Sequence, residues 1–171
     1  MTEFEQRLRL LEDRAQLDDL IVRYFLAADS DDMKAVGGSF CEDATFASSG
    51  VVNATGPQAI MDFIAAARAH MGLTLHTPHY GLYTFLNDDH AQGLVGAHLE
   101  LSMAGSLRYG AVRYQDEYRR TRDGWRIGKR DMRTIHIASW SEVGESFASD
   151  VPVRWPGIAP LPSDAPRRRD R

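Results

Sequence analysis

The chain has one cysteine, two lysines and no long apolar run. A single cysteine, Cys41, excludes an internal disulfide and fits a reducing compartment, so a cytoplasmic location is expected. No neighbour of Cys41 in sequence could act as its base, which leaves it the role of a small buried hydrophobe. No stretch approaches the roughly 18 apolar residues of a membrane span. The N-terminus starts as a charged helix, without the apolar h-region of a secretion signal. The histidines His70, His76, His79, His90, His98 and His136 include no His-Glu-x-x-His and no His-x-His, so no metal is expected. Gly-rich phosphate loops and a Gly-x-Ser-x-Gly elbow are missing as well. The net charge of −4 excludes the basic excess of a nucleic-acid binder.

What is present fits one domain. The 171 residues, 43% hydrophobic and 26% charged, suffice for a sizeable core. The folded unit is read as residues 1–150. Residues 151–171 carry Pro160, Pro162 and Pro166 and end in Arg167-Arg168-Arg169-Asp170-Arg171, and are expected to be a flexible tail.

Periodicity predicts a long first helix over residues 3–28. Phe4, Leu8, Leu11, Ala15, Leu20, Ile21, Tyr24, Phe25 and Ala28 form its apolar stripe. Asp31 or Asp32 caps a short second helix carrying Met33, Val36 and Phe40. A short strand at 44–47 and a polar loop over 48–56 precede a third helix. Pro57 opens that helix and Gly72 closes it, with Ile60, Phe63, Ile64, Ala67 and Met71 along one side. The period then changes. Strands are predicted over 75–86, 91–103, 107–120 and 125–137, with turns at Asn87-Asp88-Asp89, Ala104-Gly105-Ser106 and Arg122-Asp123-Gly124. Helices first and an antiparallel meander second imply an α+β fold, with helices covering one face of a curved sheet. Such a sheet can enclose a pocket.

Candidate polar residues are those aimed at that pocket. Asp29 follows the apolar stripe of the first helix, where it either lines the pocket or simply ends the helix. Strict alternation along the first long strand puts His79, Gly81, Tyr83 and Phe85 on one face and His76, Tyr80, Leu82 and Leu86 on the other. Only one of His76 and His79 can then face inward. In the last strand Arg133 shares a face with Ile127 and Ile135. It needs an anion there, either a ligand or a buried carboxylate. One aspartate, one histidine, Tyr24 and one arginine together suit proton abstraction with loss of a leaving group, without a cofactor.

Three motifs carry a resemblance. Tyr24-Phe25-Leu26-Ala27-Ala28-Asp29 is similar to the helix end of bile-acid dehydratases, and Asp29-Ser30-Asp31-Asp32 to that of scytalone dehydratase. Thr77-Pro78-His79-Tyr80-Gly81 resembles the base-bearing segment of hexachlorocyclohexane dehydrochlorinase. Tyr114-Gln115-Asp116-Glu117-Tyr118-Arg119-Arg120 with Asp123-Gly124-Trp125-Arg126-Ile127 resembles the last two strands of many members. Together they resemble the SnoaL-like branch of the nuclear transport factor 2-like superfamily over residues 5–139. The resemblance implies a cone-shaped α+β barrel. It implies His79 as general base with Asp29 as its partner, and Tyr24 and Arg133 binding an oxygen or the departing group. Departures exist: the dehydrochlorinase has a lysine at the position of Tyr24, and scytalone dehydratase has a tyrosine at that of Ala28.

The expected function is a cofactor-independent lyase, of dehydratase type, on a cyclic, mostly apolar small molecule. Phe25, Phe46, Phe63, Tyr83, His98 and Tyr114 would line its pocket. The alternatives are an isomerase or cyclase on a polyketide- or steroid-like substrate, and a non-catalytic binding or assembly subunit such as the small subunit of ring-hydroxylating dioxygenases. The resemblance also implies a homo-oligomer, trimer or dimer.

Overall fold

The computed structural model describes residues 2–165. The first helix, α1, runs Glu3–Asp29 and starts at a capping box. The Thr2 hydroxyl accepts from the Glu5 amide, and the Glu5 carboxylate accepts from that of Thr2. Leu17, Leu20, Ile21, Tyr24, Phe25 and Ala28 are buried. The expected stripe stops short at the other end, because Phe4, Leu8 and Leu11 are exposed. The first turns of α1 run past the sheet, with Arg9 held by Asp88 at 2.8 Å. Further along, the buried Asp13 accepts from Arg120 at 2.6 Å and from the Trp125 indole at 3.1 Å. A helix with this carboxylate on its buried face has one favourable register against the sheet.

Asp32 caps α2 (Met33–Gly38), its carboxylate accepting from the Ala35 amide at 3.0 Å. The next strand, β1 (Phe40–Ser48), is longer than the four residues predicted. The expected polar loop contains β2 (Val51–Thr55), turned back on β1 through Ser49 and Gly50, both at positive φ. Polar Asn53 and Thr55 masked this edge strand in the sequence. Helix α3 (Pro57–Arg68) begins at Pro57 as expected. It ends before Gly72, since β3 (Met71–Phe85) has already started. Three long strands follow: β4 (His90–Met103), β5 (Ser106–Thr121) and β6 (Gly124–Ser139).

The six strands form one open, curved sheet in the order β2-β1-β6-β5-β4-β3. All pairs are antiparallel except β1–β6, which is parallel. The helices fill the concave side, as the cone-shaped α+β fold requires. A single 3-10 turn (Trp140–Glu142) and α4 (Val143–Ala148), absent from the sequence reading, pack on β6. His136 stacks on Phe147 there, and its Nε2 meets the Ser146 hydroxyl at 2.5 Å.

The described part of the C-terminal segment is held against the sheet rather than free. Val153 is 2% exposed and bridges both Ile137 and Leu161. Asp164 accepts from the Ser49 hydroxyl at 2.7 Å and the Thr134 amide at 2.9 Å. This segment occupies the β6 edge that β1 leaves open. The arginine cluster at 167–171 lies outside the described residues. Among the described residues, no helix is long and apolar enough to cross a membrane.

Candidate active site

Asp29 closes α1 facing the start of β3, and three donors converge on its carboxylate. The His76 ring nitrogen Nδ1 meets Oδ1 at 2.6 Å, the His76 amide donates to Oδ2 at 2.8 Å, and the Thr74 hydroxyl donates to Oδ1 at 2.8 Å. Burial alone would raise this carboxyl; the contacts with His76 and Thr74 outweigh it and hold the group below the usual carboxylate range. A carboxylate can only accept, so Nδ1 carries a proton, and in the neutral ring the lone pair is on Nε2. The ring is stacked on Phe25, with centroids 5.0 Å apart and planes within 16°. Side-chain exposures of 18% for His76 and 14% for Asp29 leave the pair reachable.

His79, expected in this place, is not the partner of Asp29. The β3–β4 register jumps from Pro78↔Ala97 to Tyr80↔Gly96, leaving His79 as an extra residue. The bulge reverses the alternation. Before it, Thr74 and His76 face the cone; after it, Tyr83 does. His79 is exposed beside His98, ring centroids 4.1 Å apart, and lines a groove of ≈ 370 Å³ at the seam of α1 and β3 with Ile21, Val22, Pro78, Tyr80 and Tyr83. His98, expected in the pocket, also faces outward, its Nδ1 3.1 Å from the Tyr109 hydroxyl. Proline in a strand cannot donate to the ladder and is confined to edges and bulges. Pro78 was therefore the sequence signal for this shift.

The same event moves the arginine. Tyr118 pairs with Ile127 and Glu117 with Lys129, so Gly128 is extra in β6. Arg130 then follows Ile127 onto the cone side, and both are fully buried. Arg133, the residue expected there, lies on the outer side against Asp131 at 2.5 Å, where Asp131 also accepts from the Gly50 amide. The buried carboxylate foreseen for Arg133 is Asp131, 4% exposed; the arginine on the cone side, Arg130, has its own, Asp116. Arg130 grips it with Nε at 3.0 Å and Nη2 at 2.6 Å, and the Tyr118 hydroxyl donates to it at 2.7 Å.

The Arg130 guanidinium lies 4.3 Å from the Tyr24 ring centroid and 4.6 Å from that of Tyr114. Its Nη1 is buried without a hydrogen-bond partner among the described residues. Burial raises the Tyr24 and Tyr114 hydroxyls above the ordinary phenol range, against the opposing pull of Arg130, so both remain donors at neutral pH. Of the expected wall residues, Phe25 contacts both Tyr24 and Tyr114, and Phe46 contacts Phe63 at 5.6 Å. Tyr83 is buried and donates to Asp18 at 2.8 Å. The cone thus gathers Tyr24, Asp29, His76, Tyr114 and Arg130. Sequence reasoning missed His76 and Arg130 as members. No group of three or more His, Cys, Asp or Glu suited to a metal occurs among the described residues.

The SnoaL-like domain profile matches residues 9–131. The chain belongs to this family. Its fold is similar to that of a hexachlorocyclohexane dehydrochlorinase, LinA-type3 of Novosphingobium barchaimii, at 18% identity and TM-score 0.74 over 79% of this chain and 94% of that one. It is also similar to a candidate scytalone dehydratase of Novosphingobium aromaticivorans, at 15% identity and TM-score 0.71 over 77% and 90%. A candidate aromatic ring hydroxylase of the same organism aligns at 27% identity and TM-score 0.70 over 75% and 94%. A sequence search of curated proteins finds no match. The open six-stranded cone is the nuclear transport factor 2-like fold, shared here with SnoaL-like relatives.

Proposed function

We propose that the protein is a cofactor-independent lyase in which His76, not His79, is the general base. The observation that carries this reading is the Asp29 carboxylate fixed on His76 Nδ1 of a ring stacked on Phe25, an arrangement in which the neutral ring has Nε2 as its basic nitrogen. Nε2 takes a proton from substrate carbon, the C–H electrons form the new double bond, and the leaving oxygen departs with its bonding pair. The Tyr24 and Tyr114 hydroxyls and the unpartnered Arg130 Nη1 are the donors for that oxygen or for an adjacent carbonyl. Phe25, Phe46 and Phe63 suit a cyclic, mostly apolar substrate. The dehydrochlorinase and dehydratase relatives point the same way. An isomerase with Asp29 itself as base fits poorly, because both carboxylate oxygens are already engaged by donors.

The test is elimination of water from a panel of cyclic β-hydroxy ketones, with wild type compared against His76→Ala and His79→Ala. His76→Ala should lose about 10²–10⁴-fold in kcat, and His79→Ala should stay within about twofold. The reverse ranking would refute the assignment. The ring-hydroxylase relative favours a second reading, a non-catalytic assembly subunit. Copurification with a larger iron–sulfur subunit, with no turnover by the isolated chain, would select it.

A further inference from the structure

Asp29 is itself held by groups that no substrate would touch. Thr74 is 4% exposed, and its hydroxyl sits between two partners: Arg68 Nη1 at 2.5 Å and Asp29 Oδ1 at 2.8 Å. A guanidinium only donates, so Arg68 gives its proton to Thr74 and the single Thr74 proton points at Asp29. The hydroxyl has no rotational choice left. Arg68 Nη2 also reaches the Asp29 carbonyl at 3.4 Å, and Arg68 Nε pairs with Asp31. Arg68 ends α3, Asp29 and Asp31 flank the end of α1, and Thr74 lies near the start of β3. One side chain therefore joins the three elements that meet at the dyad. Asp31 is at φ 59, a left-handed conformation that turns its carboxylate back toward α3.

We propose that Arg68, acting through the Thr74 hydroxyl, is the positioning residue that locks the Asp29 carboxylate and so keeps His76 in the Nδ1–H tautomer. The inference deepens the reading of His76 as base. It adds that the direction of the base, with Nε2 toward substrate, is set by Thr74 and Arg68 together, 2 and 8 residues before His76 in sequence. With the Thr74 donor gone, Oδ1 would have only the ring to hold it. The carboxylate would then be fixed by His76 alone, through the ring on Oδ1 and the amide on Oδ2, and with the hold on Oδ1 loosened Nε2–H would compete with Nδ1–H. The positive end of the Arg68–Thr74 chain also favours the ionised form of Asp29.

The test reads the ring directly. Two-bond proton–nitrogen NMR spectra of histidine-labelled protein report the His76 tautomer, with His76→Gln supplying the assignment. Carboxyl carbon spectra report the titration of Asp29, assigned by Asp29→Asn. In Thr74→Val the Nε2–H form should grow from a minor to a comparable share, and the Asp29 midpoint should rise by about 0.5–1 pH unit. Arg68→Met should move both signals the same way by less, and Thr74→Ser should restore the wild-type spectra. Unchanged tautomer and titration in folded Thr74→Val and Arg68→Met would overturn the proposal. So would loss of fold in both variants with Thr74→Ser native, since the cluster would then be a structural staple only. These spectra need no substrate, so failure of the elimination chemistry and failure of the Arg68–Thr74 link are separately visible.

Discussion

The sheet carries two sets of the same side chains on its two faces. Inside the cone His76 meets Asp29 and Arg130 meets Asp116; outside, His79 meets His98 and Arg133 meets Asp131. The inner pairs join a cation or proton donor to a carboxylate, under aromatic rings. The outer histidines face each other, and among the described residues no carboxylate holds them at hydrogen-bond distance. Burial and the neighbouring His79 hold His98 below the usual imidazole range, against a smaller opposing pull from Glu100. Residue type therefore does not decide which histidine can be a base here. The face does, and one inserted residue in each strand decides the face.

That contrast can be broken at several points. The largest effect belongs to the buried ion pair. Arg130→Met leaves Asp116 charged and buried with only Tyr118 as donor, which should cost about 3–5 kcal/mol in urea unfolding. Arg133→Met removes a side chain that is 30% exposed and leaves the buried Asp131 with the Gly50 amide as donor, so it should cost less, about 1–3 kcal/mol. Equal losses would mean that the two pairs are not different in kind.

Acid should separate the faces next. Asp29 is depressed in the folded state, so its stabilisation is complete above the unfolded carboxyl range and is lost as pH falls through the folded value. Asp29→Asn should flatten the stability curve there, below about pH 4. His98 is also depressed, but as a base. The unfolded chain protonates first, so stability falls as pH drops below about 6.5 and levels off beneath the folded value. His98→Gln should flatten that higher window and leave the lower one. A single acid limb removed by either variant would contradict the separation.

The smallest effect sharpens the outer pair alone. His79→Ala removes one cause of the His98 depression, so the His98 ring should titrate closer to the ordinary imidazole range by NMR. The His76 tautomer should not change. Any response there would mean that the faces are coupled through the bulge.

The helices α1 and α3, the strand order of the meander and the Asp29 end of α1 were legible because their periodicity is regular and long, whereas the six-residue α4 is too short to show one. The capping run Asp31-Asp32 was legible for the same local reason. His76 and Arg130 were not, because strict alternation was carried through Pro78 and Gly128. Both residues interrupt a strand in chemically readable ways, one without a donor and one without a side chain. Neither announces which neighbour will become the extra residue, since that depends on the partner strand. Close packing contributes at Gly96, where a Cβ would collide with the Tyr80 ring beside the β3 bulge. The strand β2 and the docking of Val153 were hidden for other reasons: β2 is short and carries polar Asn53 and Thr55, and Val153 makes only isolated bridges, to Ile137 beyond the stretch of β6 that β1 covers and to Leu161.

That parallel β1–β6 contact has a consequence for how the chain reaches its native state. The hairpins β3–β4, β4–β5 and β5–β6 each close over a few residues, whereas Thr45 must find Lys129 across the whole meander. Loop-closure entropy makes the short closures early and the long one late. Asp29 ends α1, which packs on β3, and meets His76 across 47 residues of chain, a closure far longer than any hairpin turn. The two halves of the pair are thus joined only when α1 docks on a sheet whose hairpins can form without it.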